Sequence, residues 1–159
     1  MASVGVDALS VKNVNLKLKK ILSKAAYVVS FLREALNSKY LDHTIKINNV
    51  HYISYCSIIS KGKLYAGTYI CAPNATIKDK YVHVVMLKKK GILALFKFFL
   101  AILQNNIAKM EQVEIIETNS LSIFSDYKEA IQIDGDYYGQ LPVNISVSDK
   151  AIKLIVPVL

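Results

Sequence analysis

Two segments of the chain repeat apolar residues with the period of an α-helix. Between residues 12 and 37 these residues recur every three or four positions, on one helical face, with lysines on the opposite side. The apolar positions are Leu18, Leu22, Ala25, Val29, Leu32 and Leu36. The spacing predicts a helix over 12–37, and a nearly continuous apolar run predicts a second helix from Ile92 to about Ile107.

The rest of the chain has the alternating or β-branched patterns that are typical of strands. Residues 44–60 predict a hairpin that turns at Asn48-Asn49, and residues 131–139 predict another that turns at Asp134-Gly135. Further short strands are expected at 64–71, 81–87, 113–117, 121–125 and 129–134, with two more in the tail 141–157. Because strands do not alternate regularly with helices, we predict a single domain over 1–159. Its fold class is mainly β with two helices, an antiparallel β-sandwich rather than a parallel doubly wound sheet.

Composition narrows the class of protein. The 159 residues are 53% hydrophobic, which is enough for one domain with a real core and excludes global disorder. Lys plus Arg is 20 against 12 Asp plus Glu, so the net charge is +8. Such a surface suits anionic partners such as phosphates or acidic lipid headgroups, although it also serves solubility alone. The ten tyrosines are scattered without an RNA-binding motif, so we do not expect a nucleic-acid partner.

The cysteines and the first residues of the chain both indicate the cellular compartment of the protein. Cys56 and Cys71 lack metal-site or CxxC spacing and are expected to be buried free thiols in a reducing compartment. The first residues lack the basic and apolar regions of a signal peptide, so a cytoplasmic location is expected.

The apolar run 91–103 is too short to span a bilayer and Lys97 interrupts it. It is read as a buried helix, with an interfacial helix beside Lys88-Lys89-Lys90 as the alternative.

Common catalytic motifs are missing from the sequence. It contains no G-x-x-x-x-G-K-[ST] phosphate loop, no G-x-G-x-x-G and no G-x-S-x-G. The three histidines, His43, His51 and His83, share no metal-ligand spacing and are read as ordinary strand or surface residues. These classes of site are therefore not indicated.

Two polar groups remain as candidates for chemistry. Asp134-Gly135-Asp136 is either an ordinary hairpin turn or a site at which a carboxylate acts as a base toward a hydroxyl nucleophile. The loop 72–81, which contains Asp79, offers carboxylate and carbonyl oxygens that a hard cation prefers, or it is a solvated loop. The residues alone leave both pairs of alternatives open.

The order of these features resembles a known family. The chain runs through Ser3-Val-Gly-Val-Asp-Ala8, a hairpin, Ala72-Pro-Asn-Ala-x-x-x-Asp79, Ile133-Asp-Gly-Asp136 and a closing Ile-Val-Pro157. Over nearly its whole length this resembles the C-terminal domain of bacterial diacylglycerol kinase-like lipid kinases, within the larger group that contains NAD kinases. The resemblance is sharpest over 72–81 and 131–157.

The resemblance implies roles for particular residues. The carboxylate base of the family falls at Asp136, with Asp134 beside it, and a structural Mg²⁺ falls at the main-chain carbonyls of Thr76 and Tyr81 and at Asp79. The lipid substrate is expected in the cleft between this domain and a nucleotide-binding domain, and ATP is expected to bind only through that separate domain. The implied function is phosphorylation of a lipid hydroxyl in phospholipid metabolism.

The chain departs from the family pattern in several places. Asp136 stands where the family has Glu, Lys80 replaces the glycine after Asp79, and the expected glycine triplet appears as Tyr65-Ala66-Gly67. The 159 residues contain no Gly-Gly-Asp-Gly-Thr loop, so the N-terminal domain that carries it in the family is expected to be missing. We therefore expect the C-terminal half of a lipid kinase, truncated or split and inactive alone, which a separate N-terminal half would complete. A non-catalytic module for lipids or anionic membrane surfaces is the alternative, and self-association stays open.

Overall fold

The computed structural model of the chain describes residues 1–13, 33–36 and 41–150. Most of the helix predicted over 12–37 lies outside these residues, although 33–36 are helical. The first described helix, α1, is one that the sequence pattern did not predict: it spans Val6–Lys12 and ends at Asn13. The second, α2, spans Ile92–Leu103.

A six-stranded antiparallel sheet forms the centre of the molecule. Its strands are β1 (Ala2–Gly5), β4 (Cys56–Ser60), β7 (Val82–Leu87), β8 (Val113–Thr118), β10 (Ala130–Ile133) and β11 (Asp136–Gln140). They lie in the order β11-β10-β1-β4-β7-β8. Strand β1 pairs with β10 on one side and β4 on the other, which brings the first residues of the chain beside the last hairpin.

A second antiparallel sheet covers one face of the first. It has four strands, β2 (His43–Ile47), β3 (Val50–Ser54), β9 (Ser120–Phe124) and β12 (Val143–Ser146), in the order β12-β9-β2-β3. A small hairpin of β5 (Leu64–Tyr65) and β6 (Tyr69–Ile70) stands apart from both sheets. The predicted antiparallel β-sandwich is therefore confirmed.

Two hydrophobic clusters hold these layers together. Successive residues of a strand point to opposite faces, so β4 sends Cys56 and Ile58 toward α2 and Ile59 toward the four-stranded sheet. The first cluster includes Phe98 and Ile102 of α2, and the second fills the space between the sheets. The central strands are buried on both faces, which explains why they lack a clean alternation of apolar and polar residues.

Both predicted hairpin turns are present. Asn48 and Asn49 have φ of 47° and 66°, and Asp134 and Gly135 have φ of 49° and 89°. Two consecutive left-handed residues are the signature of a type I′ turn, whose twist matches that of the flanking strands. Strands β2–β3 and β10–β11 pair antiparallel across these turns.

Other predicted boundaries were wrong. The segment 44–60 is not one hairpin: the chain bends at Tyr55, and β4 leaves for the other sheet. The single strand expected at 64–71 is the β5–β6 hairpin, because Ala66 and Gly67 adopt positive φ. Helix α2 ends at Leu103, since Asn105 is left-handed, and a short 3₁₀ turn follows at Ile107–Lys109. Within the described ranges no helix is long and apolar enough to cross a membrane.

Candidate functional site

A cavity of about 470 Å³ opens beside α1. Its walls come from α1, α2, the β5–β6 hairpin and the turn between β10 and β11. Most of the lining is apolar, but one end carries carboxylate and amide side chains. The lining residues are Met1, Asp7, Ser10, Val11, Leu64, Tyr65, Ala66, Gly67, Tyr69, Phe99, Ile102, Leu103, Gln132, Asp134 and Gly135.

The carboxylate of Asp7 forms the polar end of this cavity. It is buried and accepts hydrogen bonds from three side chains. Tyr65 donates its hydroxyl to Oδ1 at 2.5 Å, Ser3 donates to Oδ2, and Gln132 Nε2 lies 3.4 Å from Oδ2. A buried carboxylate is tolerated only when its oxygens accept such bonds, so these partners hold Asp7 in one orientation.

Gln132 extends the network toward the Asp-Gly turn. Its Nε2 donates to Ser3 Oγ at 2.8 Å, and its Oε1 accepts from the main-chain N–H of Gly135 at 2.8 Å. Ser3 and Gln132 are direct partners in the β1–β10 ladder, so strand register places both side chains together. The turn and the cavity floor therefore form one connected polar unit.

Local backbone geometry explains how Asp7 reaches the cavity. Gly5 ends β1 and caps α1 with φ of 96°, a conformation that glycine adopts without steric penalty. The chain turns there from strand into helix, and Asp7 lies in the first helical turn. A carboxylate in that position is favoured by the helix dipole.

Burial determines the protonation of nearby groups. Desolvation, followed by the charge of Asp7, raises the pKa of the Tyr65 hydroxyl, which therefore stays a donor. The same two causes raise the pKa of the Cys71 thiol to about 12, and desolvation raises the pKa of Cys56 as well. Both cysteines are free and buried, as predicted, and are protonated at neutral pH, which argues against a thiolate nucleophile.

The two aspartates of the predicted Asp-Gly-Asp site occupy different positions. Asp134 lines the cavity and is largely exposed, and its Oδ1 lies 2.7 Å from the Met1 ammonium. Asp136 pairs with Ile133 in the ladder, whereas Gln132 pairs with Tyr137. Since paired residues share a face, Asp136 lies on the face opposite Gln132 and Asp7. The base roles of both residues stay predictions.

The predicted metal-binding residues lie together in the loop before β7. Asp79 Oδ1 accepts from the Thr76 hydroxyl at 2.6 Å, and Oδ2 accepts from the Thr76 N–H at 2.7 Å. These bonds lower the pKa of Asp79, while the charge of Asp79, then that of Glu117, raises the pKa of Tyr81. No group of three or more His, Cys, Asp or Glu among residues 1–13, 33–36 and 41–150 could hold a metal. Magnesium ligation by Thr76, Asp79 and Tyr81 stays a prediction.

A separate polar cluster lies between the two sheets. His43 Nε2 is 2.6 Å from Ser57 Oγ, and His43 Nδ1 is 3.5 Å from Glu129 Oε2. These residues have the order of a Ser-His-acid catalytic triad, but all three are buried. Because no substrate reaches Ser57 in this arrangement, the cluster connects the sheets rather than forming an active site.

Sequence reasoning missed the centre of the cavity. Asp7, Tyr65 and Gln132 are far apart in sequence, and none lies in a motif that specifies their contacts. Asp7 belongs to the segment 3–8 that carries the family resemblance, but no pattern around it predicts a role for its carboxylate. The local signal was the spacing Ser3-x-x-x-Asp7 around a glycine, which is too common to indicate a site alone.

Comparison with known proteins identifies relatives of the whole chain. The family described as YegS C-terminal NAD kinase beta sandwich-like domain matches residues 1–156. A Staphylococcus carnosus protein named "Putative lipid kinase" is 26% identical over 159 residues, covering 97% of this chain and 51% of that protein. A Streptococcus pneumoniae protein of the same name is 21% identical, covering 96% of this chain and 51% of its own length. The chain thus spans about half the length of these relatives.

Solved structures show the same fold. A crystal structure of a diacylglycerol kinase from Bacillus anthracis str. Sterne aligns with a TM-score of 0.61 and 17% sequence identity. The alignment covers 91% of this chain and 47% of that one. A second structure, described as "A putative diacylglycerol kinase from Bacillus anthracis str. Sterne", aligns with a TM-score of 0.60 and 17% identity over 91% of this chain and 48% of that one.

Proposed function

Because the chain belongs to the YegS C-terminal NAD kinase beta sandwich-like domain family, we propose that it forms the lipid-binding half of a lipid kinase. Its substrate would be a lipid alcohol such as diacylglycerol, as the names of its relatives suggest. The observation that carries the proposal is the apolar cavity beside α1 with the buried Asp7 carboxylate at its polar end.

The cavity has the two surfaces that a lipid alcohol needs. Val11, Phe99 and Ile102 offer an apolar wall for acyl chains. Asp7 offers a carboxylate that accepts a hydrogen bond from a lipid hydroxyl, and Tyr65 and Gln132 keep that carboxylate in place. A mostly apolar pocket with a few fixed polar groups is the usual form of a small-molecule site.

Phosphoryl transfer needs two further components. One is a base for the lipid hydroxyl, for which Asp136 has the better family match and Asp134 the better position beside the cavity. The other is a set of groups that neutralise the nucleotide phosphates. The sequence contains no Gly-Gly-Asp-Gly-Thr loop. We therefore propose that ATP is bound by a nucleotide-binding part, encoded on the same or another polypeptide.

Lipid binding by the 159-residue chain can be tested directly. Calorimetric titration with a short-chain diacylglycerol should show saturable binding to the cavity. Leu103→Trp, which fills the cavity from α2, should weaken binding at least about tenfold, a loss of about 1.4 kcal/mol. Leu93→Trp is the matched control, because Leu93 is exposed on the same helix and does not line the cavity. Absence of binding, or equal effects of both variants, would contradict the proposal.

The identity of the base is tested in a reconstituted kinase. The chain is combined with a nucleotide-binding part from a relative, and transfer of phosphate from ATP to diacylglycerol is measured. Asn in place of the true base should lower turnover by about 10²–10⁴-fold, so Asp134→Asn and Asp136→Asn are compared. If neither variant loses activity, the base is another group. If no transfer occurs although diacylglycerol binds, the chain is a binding module.

Binding to a membrane surface is a second candidate function, favoured by the exposed side of α2. Ile92, Leu93 and Phe96 are exposed there, and Lys97 and the lysines 88–90 are exposed nearby. Apolar side chains beside cations suit an anionic lipid surface. Leu93→Asp should reduce salt-sensitive flotation with anionic vesicles. Ile53→Asp is the control and should not reduce it, because Ile53 lies on β3 of the four-stranded sheet, away from α2. Equal flotation of both variants would count against this function.

A further inference from the structure

We propose that the ammonium group of Lys61 takes the structural role of a divalent cation in the loop 72–81, so that the loop is stabilised without a bound metal. The inference concerns the cation-binding positions alone and does not depend on lipid kinase activity.

The first observation is the position of the Lys61 side chain. Its Nζ donates a hydrogen bond to the main-chain carbonyl of Asp79 and lies 3.3 Å from the carbonyl of Tyr81. Two carbonyl oxygens from one loop thus converge on a single positive atom. Convergent oxygens around a compact positive charge are the arrangement that a hard cation requires. Here an ammonium group, with three donors on a flexible stem, occupies that point.

The second observation is that the other candidate ligands are held in place by hydrogen bonds within the loop. Both carboxylate oxygens of Asp79 accept hydrogen bonds from Thr76, one from its hydroxyl and one from its N–H. The carbonyl of Thr76 accepts the N–H of Asp79 at 3.2 Å. These bonds fix the direction of each oxygen but leave it a further lone pair, so they do not by themselves exclude an ion. The charge of Lys61 opposes an ion at the Tyr81 carbonyl, which is one of the predicted ligands.

The third observation is where Lys61 lies in the sheet. Ser60 ends β4 and pairs with His83 of β7, so Lys61 is the first residue beyond the paired end of its strand. The loop enters β7 directly opposite. The bonds from Lys61 therefore tie the end of β4 to the chain entering β7, at the point where the ladder stops.

The surrounding carboxylates favour a positive charge at this corner. His83 Nε2 lies 3.5 Å from Asp79 Oδ2, and His83 Nδ1 lies 3.8 Å from Glu117 Oε1. Asp79 and Glu117 thus give this corner of the sheet a negative field, which favours a cation nearby. Lys61 supplies one positive charge to this corner from within the chain, and Lys78 and Lys80 flank Asp79 in sequence.

Thermal melting of the full 159-residue chain provides the test. Wild type should melt at the same temperature in EDTA and in millimolar MgCl₂, and calorimetric titration with Mg²⁺ should be flat. Lys61→Met should lower the midpoint by at least about 3 °C, because the carbonyls lose a charged donor. Lys63→Met is the matched control: Lys63 is exposed, two residues away, and it is the Lys63 main-chain carbonyl that accepts bonds from Cys71 and Ala72.

Three outcomes would overturn the proposal. They are a wild-type melting point that rises with Mg²⁺ and loses this response in Asp79→Asn, a saturable Mg²⁺ isotherm in wild type, or equal melting points for the two lysine variants. If Lys61→Met yields no folded protein, the wild-type titration decides alone, since a flat isotherm supports the lysine and a saturable one refutes it.

Discussion

Replacing Gly5 by alanine tests whether the β1–α1 junction positions Asp7 as described. A Cβ at Gly5 would lie 2.9 Å from the carbonyl oxygen of Tyr55 and 3.2 Å from the Cα of Cys56. Both atoms belong to the backbone at the start of β4, so neither can move aside as a side chain would. Gly5→Ala therefore requires β1 and β4 to separate locally, with a shift of the first turn of α1.

The expected cost has two parts. At Gly5 the φ of 96° and ψ of −147° lie in a region that is essentially restricted to glycine, and a residue with a Cβ there costs about 1–3 kcal/mol. Forcing an extra carbon into a packed region costs about 1–3 kcal/mol more, so the free energy of unfolding of Gly5→Ala should fall by about 2–6 kcal/mol. Gly91 is a close control, because it also caps a helix and has φ of 113°, but a Cβ there meets no atom within 4 Å. Gly91→Ala should lose only the first part.

Urea unfolding followed by circular dichroism measures both variants. Gly5→Ala should unfold at a clearly lower urea midpoint than Gly91→Ala, and it should bind diacylglycerol more weakly because Asp7 is displaced. If the two variants lose equal stability, the close approach of β1 to β4 at Gly5 does not exist in solution. The reasoning about the junction would then be refuted.

Two further predictions concern the groups around the cavity. Tyr65→Phe removes the hydroxyl that donates to Asp7, so the free energy of unfolding measured in urea should fall by about 1–3 kcal/mol. Tyr69→Phe, in the same hairpin, is the control. An equal loss of stability in both variants would contradict the prediction. Cys71 should make the stability of the fold depend on alkaline pH. Burial raises the pKa of its thiol from 9.0 to about 12, so between these pH values the folded state keeps a proton that the unfolded state releases. The free energy of unfolding therefore falls as the pH rises from about 9 toward 12. Between about pH 8 and 10 wild type should lose about 1 kcal/mol more than Cys71→Ala, and parallel pH profiles would show that the thiol titrates normally.

Local sequence signals were sufficient where neighbouring residues decide the structure. The turns at Asn48-Asn49 and Asp134-Gly135 were predicted because residues that tolerate positive φ stand between strand-like segments. The same signal was overlooked at Ala66-Gly67, where the flanking strands have only two residues each. Strand β1 was also missed, since four residues ending in glycine carry too little alternation to distinguish a strand from a loop.

The assignment of residues to sheets depended on distant contacts. Cys56–Ser60 continues directly from β3, yet it pairs with β1 and β7 in the other sheet. Its residues are buried on both faces, so their order contains no period that could indicate a partner. Pairing of this kind is decided by the packing of the whole sandwich rather than by any single segment.

The sequence by itself determined the β-rich class of the fold, the positions of two hairpin turns, the buried thiols and, through its resemblance, the family. Only the tertiary structure decided that Asp7, Tyr65 and Gln132 meet at one cavity, that Asp134 rather than Asp136 lines it, and that Lys61 reaches the loop before β7. The reason is physical. Turns and periodicity depend on residues a few positions apart, whereas a buried carboxylate or a convergent pair of carbonyls acquires its partners only when distant strands come into register.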